Sequence, residues 1–359
     1  MKTEQIETVV IGGGQAGLAA GYYLSQQKRD FVILDAHERA GDSWRKRWDS
    51  LWLFTPTSFN HLPGMPFPKS ADADRFPTKD EMADYLESYV ARFQFPMLFN
   101  TKVDELARDG DSYLVSAGAL HLKANHVVVA TGAYSTPRVP TLASQLDSGI
   151  TQLHSAAYRN PSQLRDGAVL VVGAGNSGME IALDLVPQHL VWLAGRDTGF
   201  IPANYGKFSY EFGVILFKAL MQRLTVDTLP GRWLVRRARE FSRGHPVVGV
   251  RPEDLLRAGV QRVPRVMGIS HGRPVLEDGR VLDVSNVVWA TGFVRDYRWI
   301  KLPCSIATAT LYTTVEWCKA SRACTSLVCP SSLRCFPVLW QELALTRNTS
   351  RSRLPCEPE

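Results

Sequence analysis

The sequence predicts an α/β protein with two Rossmann-like units, the second inserted into the first. A strand, a glycine-rich turn, a helix and a second strand follow one another over 7–34, and the same succession returns over 169–194. The strands that begin at 127 and at 287 both end in Ala-Thr-Gly, which implies that the chain returns to its first unit after the second. With 359 residues, the chain has room for two domains of roughly 100 to 200 residues each.

The first unit is predicted to contain a strand over 8–11, a helix over 18–27 and a strand over 31–34, because apolar residues recur there with the periods of these elements. The segment 44–77 is rich in Trp, Phe and Pro. This composition is too apolar for a linker and too irregular for a regular element, so we expect a packed loop over a cofactor.

A second amphipathic helix is predicted over 78–92, where apolar residues follow a 3.6-residue period. Thr78 is a favourable N-cap, and Glu81 three residues later completes a capping box. The remaining predicted strands of the first unit lie near 103, over 113–115 and over 127–130. The second unit is predicted to contain a strand from 169, a helix over 179–186, a strand over 190–194 and strands near 265 and 281.

Two glycine turns of the form GxGxxG carry the main functional signal. The first consists of Gly12, Gly14 and Gly17, and the second of Gly173, Gly175 and Gly178. Each turn follows a strand and opens a helix, so backbone N–H groups and a helix N-terminus can meet a pyrophosphate. In this context the pattern predicts two dinucleotide-binding sites.

The residue at the end of the next strand distinguishes the two sites. Asp35 follows Gly12 by 23 residues, and Arg196 follows Gly173 by the same 23. A carboxylate accepts hydrogen bonds from the free hydroxyls of an adenosine ribose, whereas a guanidinium binds a 2′-phosphate. We therefore expect FAD at the first site and NADPH at the second.

The net charge of +6 and the pI near 9.0 are compatible with an anionic partner. We interpret the basic cluster at 232–243 as a solvated helix face and expect no nucleic-acid partner, because no nucleic-acid motif accompanies it. Peripheral membrane binding through 210–221 is an alternative to a core helix there, although we do not expect membrane association. The polar start and the absence of about 20 consecutive apolar residues favour a cytoplasmic protein.

All six cysteines lie from Cys304 onward. A thiol–disulfide reductase needs a reactive thiolate beside its flavin, so this chemistry is excluded for the part of the chain that carries the motifs. No metal site is expected either. Cys324 and Cys329 are separated by four residues and have no CxxC partner or nearby His, which disfavours zinc.

Several further motifs accompany the glycine turns. They are Gly-Asp-Ser-Trp-Arg at 41–45, the run Leu-Pro-Gly-Met-Pro-Phe-Pro at 62–68, prolines at 137 and 140 after the first Ala-Thr-Gly, and Phe293 after the second. Taken together, residues 5–302 resemble the flavin-containing monooxygenase superfamily. The similarity includes bacterial FAD/NAD(P)-binding oxidoreductases and the plant YUCCA-type indole-pyruvate monooxygenases.

This resemblance implies that Ser43 and Trp44 line the flavin and that the backbone at Val103 contacts the adenine. It also implies that the two Ala-Thr-Gly turns mark crossings between the domains. The residues expected to bind FAD are Gly12, Gly14, Gln15, Ala16, Gly17, Asp35, Ser43, Trp44, Val103, Ala130, Thr131 and Gly132. Those expected at the NADPH site and the second crossing are Gly173, Gly175, Asn176, Ser177, Gly178, Arg196, Thr291 and Gly292.

The activity implied by the resemblance is that of an NADPH-oxidising flavin monooxygenase. NADPH reduces the flavin, oxygen forms a C4a-(hydro)peroxyflavin, and one oxygen atom passes to a small organic substrate. Two alternatives stay open: an NADPH oxidase or reductase without oxygen transfer, and a catalytically impaired remnant that binds the cofactors. No catalytic residue is assigned, because the family's active-site Asn would fall near Phe54 or Thr55. The superfamily's FxGxxxHxxxY element, expected just before the second glycine turn, is present only as His154 and Tyr158.

The predicted division is a first part of the FAD-binding domain over 1–145, an NADPH-binding domain over 146–284 and a return to the FAD domain over 285–302. After 302 the strand and helix patterns stop, so we expect an aberrant, disordered tail over 303–359. A shifted reading frame explains this change. Codons chosen for 322–330 read Gly-Leu-Tyr-Phe-Val-Gly-Leu-Pro in another frame, which resembles the family's penultimate strand.

Overall fold

The computed structural model describes residues 3–55, 57, 60–68, 76–197, 199, 247–294 and 296–302. These residues form a mixed α/β fold with two largely parallel sheets, which confirms the predicted class. None of the helices described in these ranges is long and apolar enough to cross a membrane. The predictions for 210–221, for the basic cluster and for the tail with its six cysteines lie outside the described residues.

A seven-stranded sheet contains the first glycine turn. Its strands are β1 (Thr3–Ile11), β2 (Phe31–Leu34), β3 (Met97–Leu98), β4 (Glu105–Asp109), β5 (Ser112–Ala117), β6 (Leu120–Val129) and β16 (Ile300–Lys301). Their order across the sheet is β16-β4-β5-β6-β1-β2-β3. The pairs on either side of β5 are antiparallel, and the other pairs are parallel.

Strand β1 is longer than the prediction, because its first residues pair with β6 although they are exposed. The register runs from Thr3 opposite His121 to Ile11 opposite Val129. Burial along β1 changes from exposed at Thr3 to fully buried at Val9 and Val10. The apolar pattern therefore marks only the buried half of the strand, and backbone pairing with β6 extends it.

Three helices pack beside this sheet: α1 (Gln15–Gln26), α2 (Asp42–Arg45) and α3 (Lys79–Phe93). The predicted capping box at the start of α3 is confirmed. The Thr78 hydroxyl accepts from the Glu81 N–H at 3.2 Å, and the Glu81 carboxylate accepts from the Thr78 N–H at 2.8 Å. Helix α3 buries an apolar face made by Met82, Tyr85, Leu86 and Tyr89.

A five-stranded sheet contains the second glycine turn, and all its strand pairs are parallel. Its strands are β8 (Thr151–His154), β9 (Val169–Val172), β10 (Val191–Ala194), β11 (Gln261–Val263) and β14 (Asn286–Trp289). Their order is β11-β10-β9-β14-β8. The helices of this part are α4 (Asn176–Leu185) and α5 (Pro252–Ala258).

The position of β14 corrects the predicted boundary at 285. This strand lies between β9 and β8, with Asn286 opposite both Val169 and Thr151. The chain therefore leaves the five-stranded sheet after Trp289, not before it. The apolar run from 287 gave no indication of which sheet the strand joins.

Two short antiparallel pairs complete the fold. Strand β7 (Thr136–Pro137) pairs with β15 (Phe293–Val294) where the chain passes between the sheets. Strands β12 (Val266–Ser270) and β13 (Arg273–Leu276) form a hairpin. The strand expected near 281 is only an isolated bridge between Val275 and Val281.

Candidate functional site

In the first glycine turn each of the three glycines has a separate geometric role. Gly12 has a φ of +108°, and a Cβ there would lie 2.5 Å from the Ala130 carbonyl oxygen. A Cβ on Gly17 would clash with the carbonyl oxygen of Gly12, so this glycine permits close packing of helix on strand. A Cβ on Gly14 would meet nothing within 4 Å. Gly14 therefore faces the open space in front of α1.

The second glycine turn repeats these roles residue by residue. Gly173 has a φ of +114°, and a Cβ there would clash with the Ala290 carbonyl oxygen. A Cβ on Gly178 would clash with the carbonyl oxygen of Gly173, and a Cβ on Gly175 would meet nothing within 4 Å. The equivalence extends to the backbone, because the φ and ψ of the N-cap are −79° and −173° at Gly14 and −85° and −173° at Gly175.

Both helices begin without a side chain that caps them. Neither Gly14 before α1 nor Gly175 before α4 supplies a side-chain hydrogen bond to the first turn. The first backbone N–H groups of a helix lack partners within the helix, and they carry the positive end of its dipole. Each turn therefore combines unfilled donors, a favourable potential for an anion and a glycine that lets an anion approach.

Asp35 is held firmly at the end of β2. Its Oδ2 accepts from the Gly13 N–H at 2.6 Å, and its Oδ1 accepts from the backbone N–H of His37 at 2.7 Å. The His37 ring lies 2.8 Å from the same Oδ1. Burial alone would raise the pKa of Asp35, but the hydrogen bonds from His37 and Gly13 hold it below its ordinary value. The carboxylate is therefore ionised and oriented beside the first glycine turn.

Arg196 lies one residue beyond the place that matches Asp35. The N–H groups of Gly12 and Gly173 donate to the carbonyls of Leu34 and Ala194, so the counterpart of Asp35 is Gly195. The Arg196 side chain is exposed, two residues beyond Ala194 at the end of the strand. The two glycine turns thus have the same backbone geometry, with a carboxylate directly after the next strand at the first turn and a guanidinium one residue further on at the second. The expectation that Asp35 and Arg196 occupy equivalent positions was therefore wrong by one residue, because equal spacing from the first glycine does not ensure the same place after the second strand.

A cavity of about 820 Å³ lies in front of the first glycine turn. Most residues predicted for the first site line it: Gly12, Gly14, Gln15, Ala16, Asp35, Ser43, Trp44, Val103, Ala130, Thr131 and Gly132. Gly17 does not line the cavity and instead packs α1 against the strand. The structure thus brings together residues that are more than 100 positions apart in the chain.

The sequence analysis missed one wall of this cavity. Asp296, Tyr297, Arg298, Trp299 and Lys301 line it, next to the predicted Val103. They are placed there by β16, since Ile300 pairs with Leu106 and the Leu106 N–H donates to the Trp299 carbonyl at 2.9 Å. A strand of two residues has no detectable period. The only signal was the expected return of the chain after the second Ala-Thr-Gly.

Helix α2 carries Ser43 and Trp44 to the cavity, and Arg45 fixes this helix to α3. The Arg45 guanidinium donates to the Ala40 carbonyl at 2.7 Å, to Asp84 at 2.8 Å and to Glu87 at 2.5 Å. Its side chain is only 14% exposed. Because the three bonds hold one planar group, they fix the single turn of α2 that presents Trp44.

Two tyrosines of α3 hold a second wall, formed by Leu62 and Pro63. The Tyr85 hydroxyl accepts from the Leu62 N–H at 2.6 Å and donates to the Met65 carbonyl at 2.7 Å. The Tyr89 hydroxyl donates to the Pro63 carbonyl at 2.6 Å. Burial raises the pKa of Tyr85 to about 12, so both of its bonds are made by the neutral phenol. The loop rich in Trp, Phe and Pro is thus attached to α3.

We expect Tyr85→Phe to lower the free energy of unfolding by about 2 kcal/mol, because it leaves the buried Leu62 N–H and the Met65 carbonyl without their partner. Tyr89→Phe removes a single bond, to Pro63, and serves as the matched control with a smaller expected loss. Urea unfolding of both variants checks this order. Equal stability of Tyr85→Phe and wild type would show that the hydroxyl does not hold the loop.

The second Ala-Thr-Gly turn binds to other parts of the chain at the crossing between the sheets. The Gly292 carbonyl accepts from the Arg138 N–H at 2.9 Å, and the Thr291 hydroxyl donates to the Arg138 carbonyl. His154 Nε2 lies 2.9 Å from the same Gly292 oxygen, and His154 Nδ1 accepts from the Ala156 N–H at 3.1 Å. His154 is therefore neutral, with its proton on Nε2. Burial, and then the charge of Arg47, lower its pKa.

This environment of His154 predicts a pH dependence of stability. Because its pKa is lower in the folded state than the ordinary 6.5, the unfolded chain takes up more protons as the pH falls below that value. The neutral His154 ring makes its full contribution to stability above pH 6.5, and this contribution is lost as the pH falls towards the pKa of the folded state. We expect His154→Gln, which keeps a donor for Gly292, to flatten this slope in urea unfolding measured between about pH 7.5 and 5.5. An unchanged slope would contradict this assignment.

The remaining predicted residues of the second site have mixed roles. The Asn176 side chain accepts from the Val248 N–H at 2.8 Å, which attaches the chain near 248 to the start of α4. Ser177 is half-buried in the first turn of α4. Tyr158, the other survivor of the expected motif, is buried and donates to Asp184 at 2.6 Å. Its hydroxyl therefore attaches the segment that follows β8 to α4.

Comparison with known proteins agrees with this geometry. Residues 9–205 match the family model described as pyridine nucleotide-disulphide oxidoreductase. The chain is 39% identical over 302 residues to an "Uncharacterized oxidoreductase CzcO-like" of Geobacillus kaustophilus, covering 83% of each chain. It is 30% identical over 316 residues to "Probable indole-3-pyruvate monooxygenase YUCCA9" of Arabidopsis thaliana, covering 79% of this chain and 74% of that one.

A solved structure shows the same fold. A flavin-containing monooxygenase from Stenotrophomonas maltophilia superposes with a TM-score of 0.66 at 28% identity, covering 83% of this chain and 82% of that one. The predicted resemblance is confirmed by the family match, by the relatives and by this neighbour. The chain belongs to the pyridine nucleotide-disulphide oxidoreductase family and is an oxidoreductase of the flavin monooxygenase type.

Proposed function

We propose that the protein is an FAD-dependent, NADPH-oxidising monooxygenase that transfers one oxygen atom from O₂ to a small organic substrate. The observation that carries this proposal is the pair of equivalent, uncapped glycine turns, with Asp35 beside one and Arg196 beside the other. The proposal includes two Rossmann-like domains, with the NADPH domain inserted into the FAD domain. In this proposal the chain returns to the FAD domain after the end of β14 and not at 285.

FAD fits the first turn for three reasons. The cavity of about 820 Å³ is within the size range of cofactor pockets. Gly14 leaves space for a pyrophosphate in front of the free N–H groups of α1. Asp35 is ionised and fixed, so it can accept hydrogen bonds from the ribose hydroxyls. Ser43 and Trp44 would flank the ring system, and Val103 would contact the adenine.

NADPH fits the second turn by the same reasoning. Gly175 leaves the equivalent space in front of α4, and Asn176 and Ser177 begin this helix. Arg196 is exposed and would contact the 2′-phosphate of the adenosine. The crossing formed by Thr291, Gly292 and His154 would hold the two cofactors in reach of each other.

When bound, the flavin supplies the redox and oxygen-transfer chemistry, which the proposal assigns to a C4a-(hydro)peroxyflavin. The chain's own residues bind, orient and exclude water. Arg45 orients Trp44, and Tyr85 and Tyr89 hold the loop over the cavity. Disulfide reduction is not supported, because no cysteine precedes Cys304.

The test measures oxygenated product per NADPH consumed over a panel of sulfides, amines, ketones and α-keto acids. We expect at least one class to give product in proportion to NADPH, and Gly175→Val to abolish the NADPH consumption while leaving the flavin bound. Hydrogen peroxide as the sole product over the whole panel would overturn the monooxygenase proposal and favour an NADPH oxidase.

A further inference from the structure

Strand β11 brings an arginine to the end of β10. In the parallel register Arg262 lies opposite Leu193, and Val263 lies opposite Ala194. Paired residues of parallel strands direct their side chains to the same face of a sheet. Leu193 packs in the same core cluster as Met179 of α4. Arg262 therefore lies on the face of the sheet that carries α4 and the second glycine turn.

The guanidinium of Arg262 reaches across to the second site. Its Nη2 donates to the carbonyl oxygen of Gly195 at 3.3 Å. Gly195 itself abuts the glycine turn, because a Cβ there would lie 2.7 Å from the backbone nitrogen of Ala174. Arg196 is the next residue. The Arg262 guanidinium thus contacts the backbone that leads into Arg196, beside the turn that would hold the pyrophosphate.

Charged groups of both signs lie beside this turn. Partial burial lowers the pKa of Arg262, and the nearby Asp197 carboxylate acts in the opposite direction. A guanidinium stays charged at neutral pH in either case. Asp197 is held in place because its Oδ1 accepts from the Gly199 N–H at 2.9 Å. The site therefore contains two guanidinium groups, of Arg196 and Arg262, and one fixed carboxylate, of Asp197. The carboxylate would repel a phosphate.

We propose that Arg262 is a second ligand of the NADPH 2′-phosphate, acting together with Arg196, and that Asp197 weakens this binding. The inference rests on the proposed NADPH site and adds to it the residue that offsets the adjacent carboxylate. A guanidinium has five N–H donors, and the bond to Gly195 uses one, so Arg262 has donors for a phosphate.

The test uses calorimetric binding of 2′,5′-ADP and 5′-AMP to the 359-residue protein, which needs no turnover. We expect the wild type to prefer 2′,5′-ADP, and Arg262→Gln to reduce this preference about tenfold with unchanged binding of 5′-AMP. Asp197→Asn should increase the preference. Arg280→Gln removes the same charge from a residue that bonds to Asp278, and it should leave the preference unchanged.

Three results would overturn the inference, and they are distinguishable. If the wild type prefers 2′,5′-ADP and Arg262→Gln keeps this preference, Arg262 is not a ligand, and the NADPH site stands. If Arg262→Gln weakens the binding of both nucleotides equally, the residue only supports the strand. If the wild type does not prefer 2′,5′-ADP, the NADPH assignment fails together with the inference.

Discussion

Replacing Gly17 by alanine is expected to lower the free energy of unfolding by about 3 kcal/mol. The new Cβ would clash with the carbonyl oxygen of Gly12. Gly12 cannot move away easily, because its N–H donates to the Leu34 carbonyl at 2.8 Å. Helix α1 would have to withdraw from the strand, which exposes the fully buried Leu18. Urea unfolding without added cofactor measures this loss.

The matched control for this change lies in the same helix. A Cβ on Gly21 would lie 2.8 Å from the Cδ1 of Ile33, the flexible end of a side chain that can move. Alanine also favours a helix over glycine by about 1 kcal/mol, so Gly21→Ala should change stability little. If Gly17→Ala were as stable as Gly21→Ala, the close approach of α1 to Gly12 would not constrain the fold.

Replacing Gly14 by valine is expected to remove FAD binding with little change in stability. A Cβ at Gly14 meets nothing within 4 Å, and its extended φ of −79° is open to any residue. The loss of a glycine N-cap costs about 1 kcal/mol or less. The added methyl groups, however, occupy the approach of the pyrophosphate to the helix N-terminus. We expect the affinity for FAD to fall at least about 100-fold, the equivalent of two lost phosphate hydrogen bonds.

Gly175→Val provides the paired control, because it places the same side chain in the same backbone geometry at the second turn. This variant should retain FAD and lose NADPH, whereas Gly14→Val should lose FAD and keep binding of 2′,5′-ADP. Flavin content and nucleotide titration separate the two outcomes. If Gly14→Val retained FAD with wild-type affinity, the first turn would not be the pyrophosphate site.

The local features of the fold were predictable from the sequence. The capping box of Thr78 and Glu81 needs only residues three apart, and both glycine turns lie where the GxGxxG pattern put them. The helix starts were placed three residues late, at 18 and 179, although α1 and α4 begin at Gln15 and Asn176. The polar and small residues of these first turns carry no apolar period, so the pattern reveals only the part of each helix that has large apolar side chains.

Long-range pairing was not predictable. Strands β3, β7, β15 and β16 have two residues each and exist only through their partners. For the same reason the sequence did not reveal that β14 belongs to the five-stranded sheet, or that the cavity is lined by Asp296, Tyr297, Arg298, Trp299 and Lys301. The position of Arg262 was likewise not predictable, because only the pairing of β11 with β10 places it beside Gly195. The motifs identify the turns, and the sheet order decides which side chains surround them.

The most direct test of the two-cofactor account is the visible spectrum of the purified 359-residue protein, recorded before and after anaerobic addition of NADPH. We predict a flavin band close to one equivalent per chain that bleaches with NADPH and much less with an equal amount of NADH. A colourless protein that fails to take up added FAD would contradict the assignment of the first glycine turn and of the cavity in front of it.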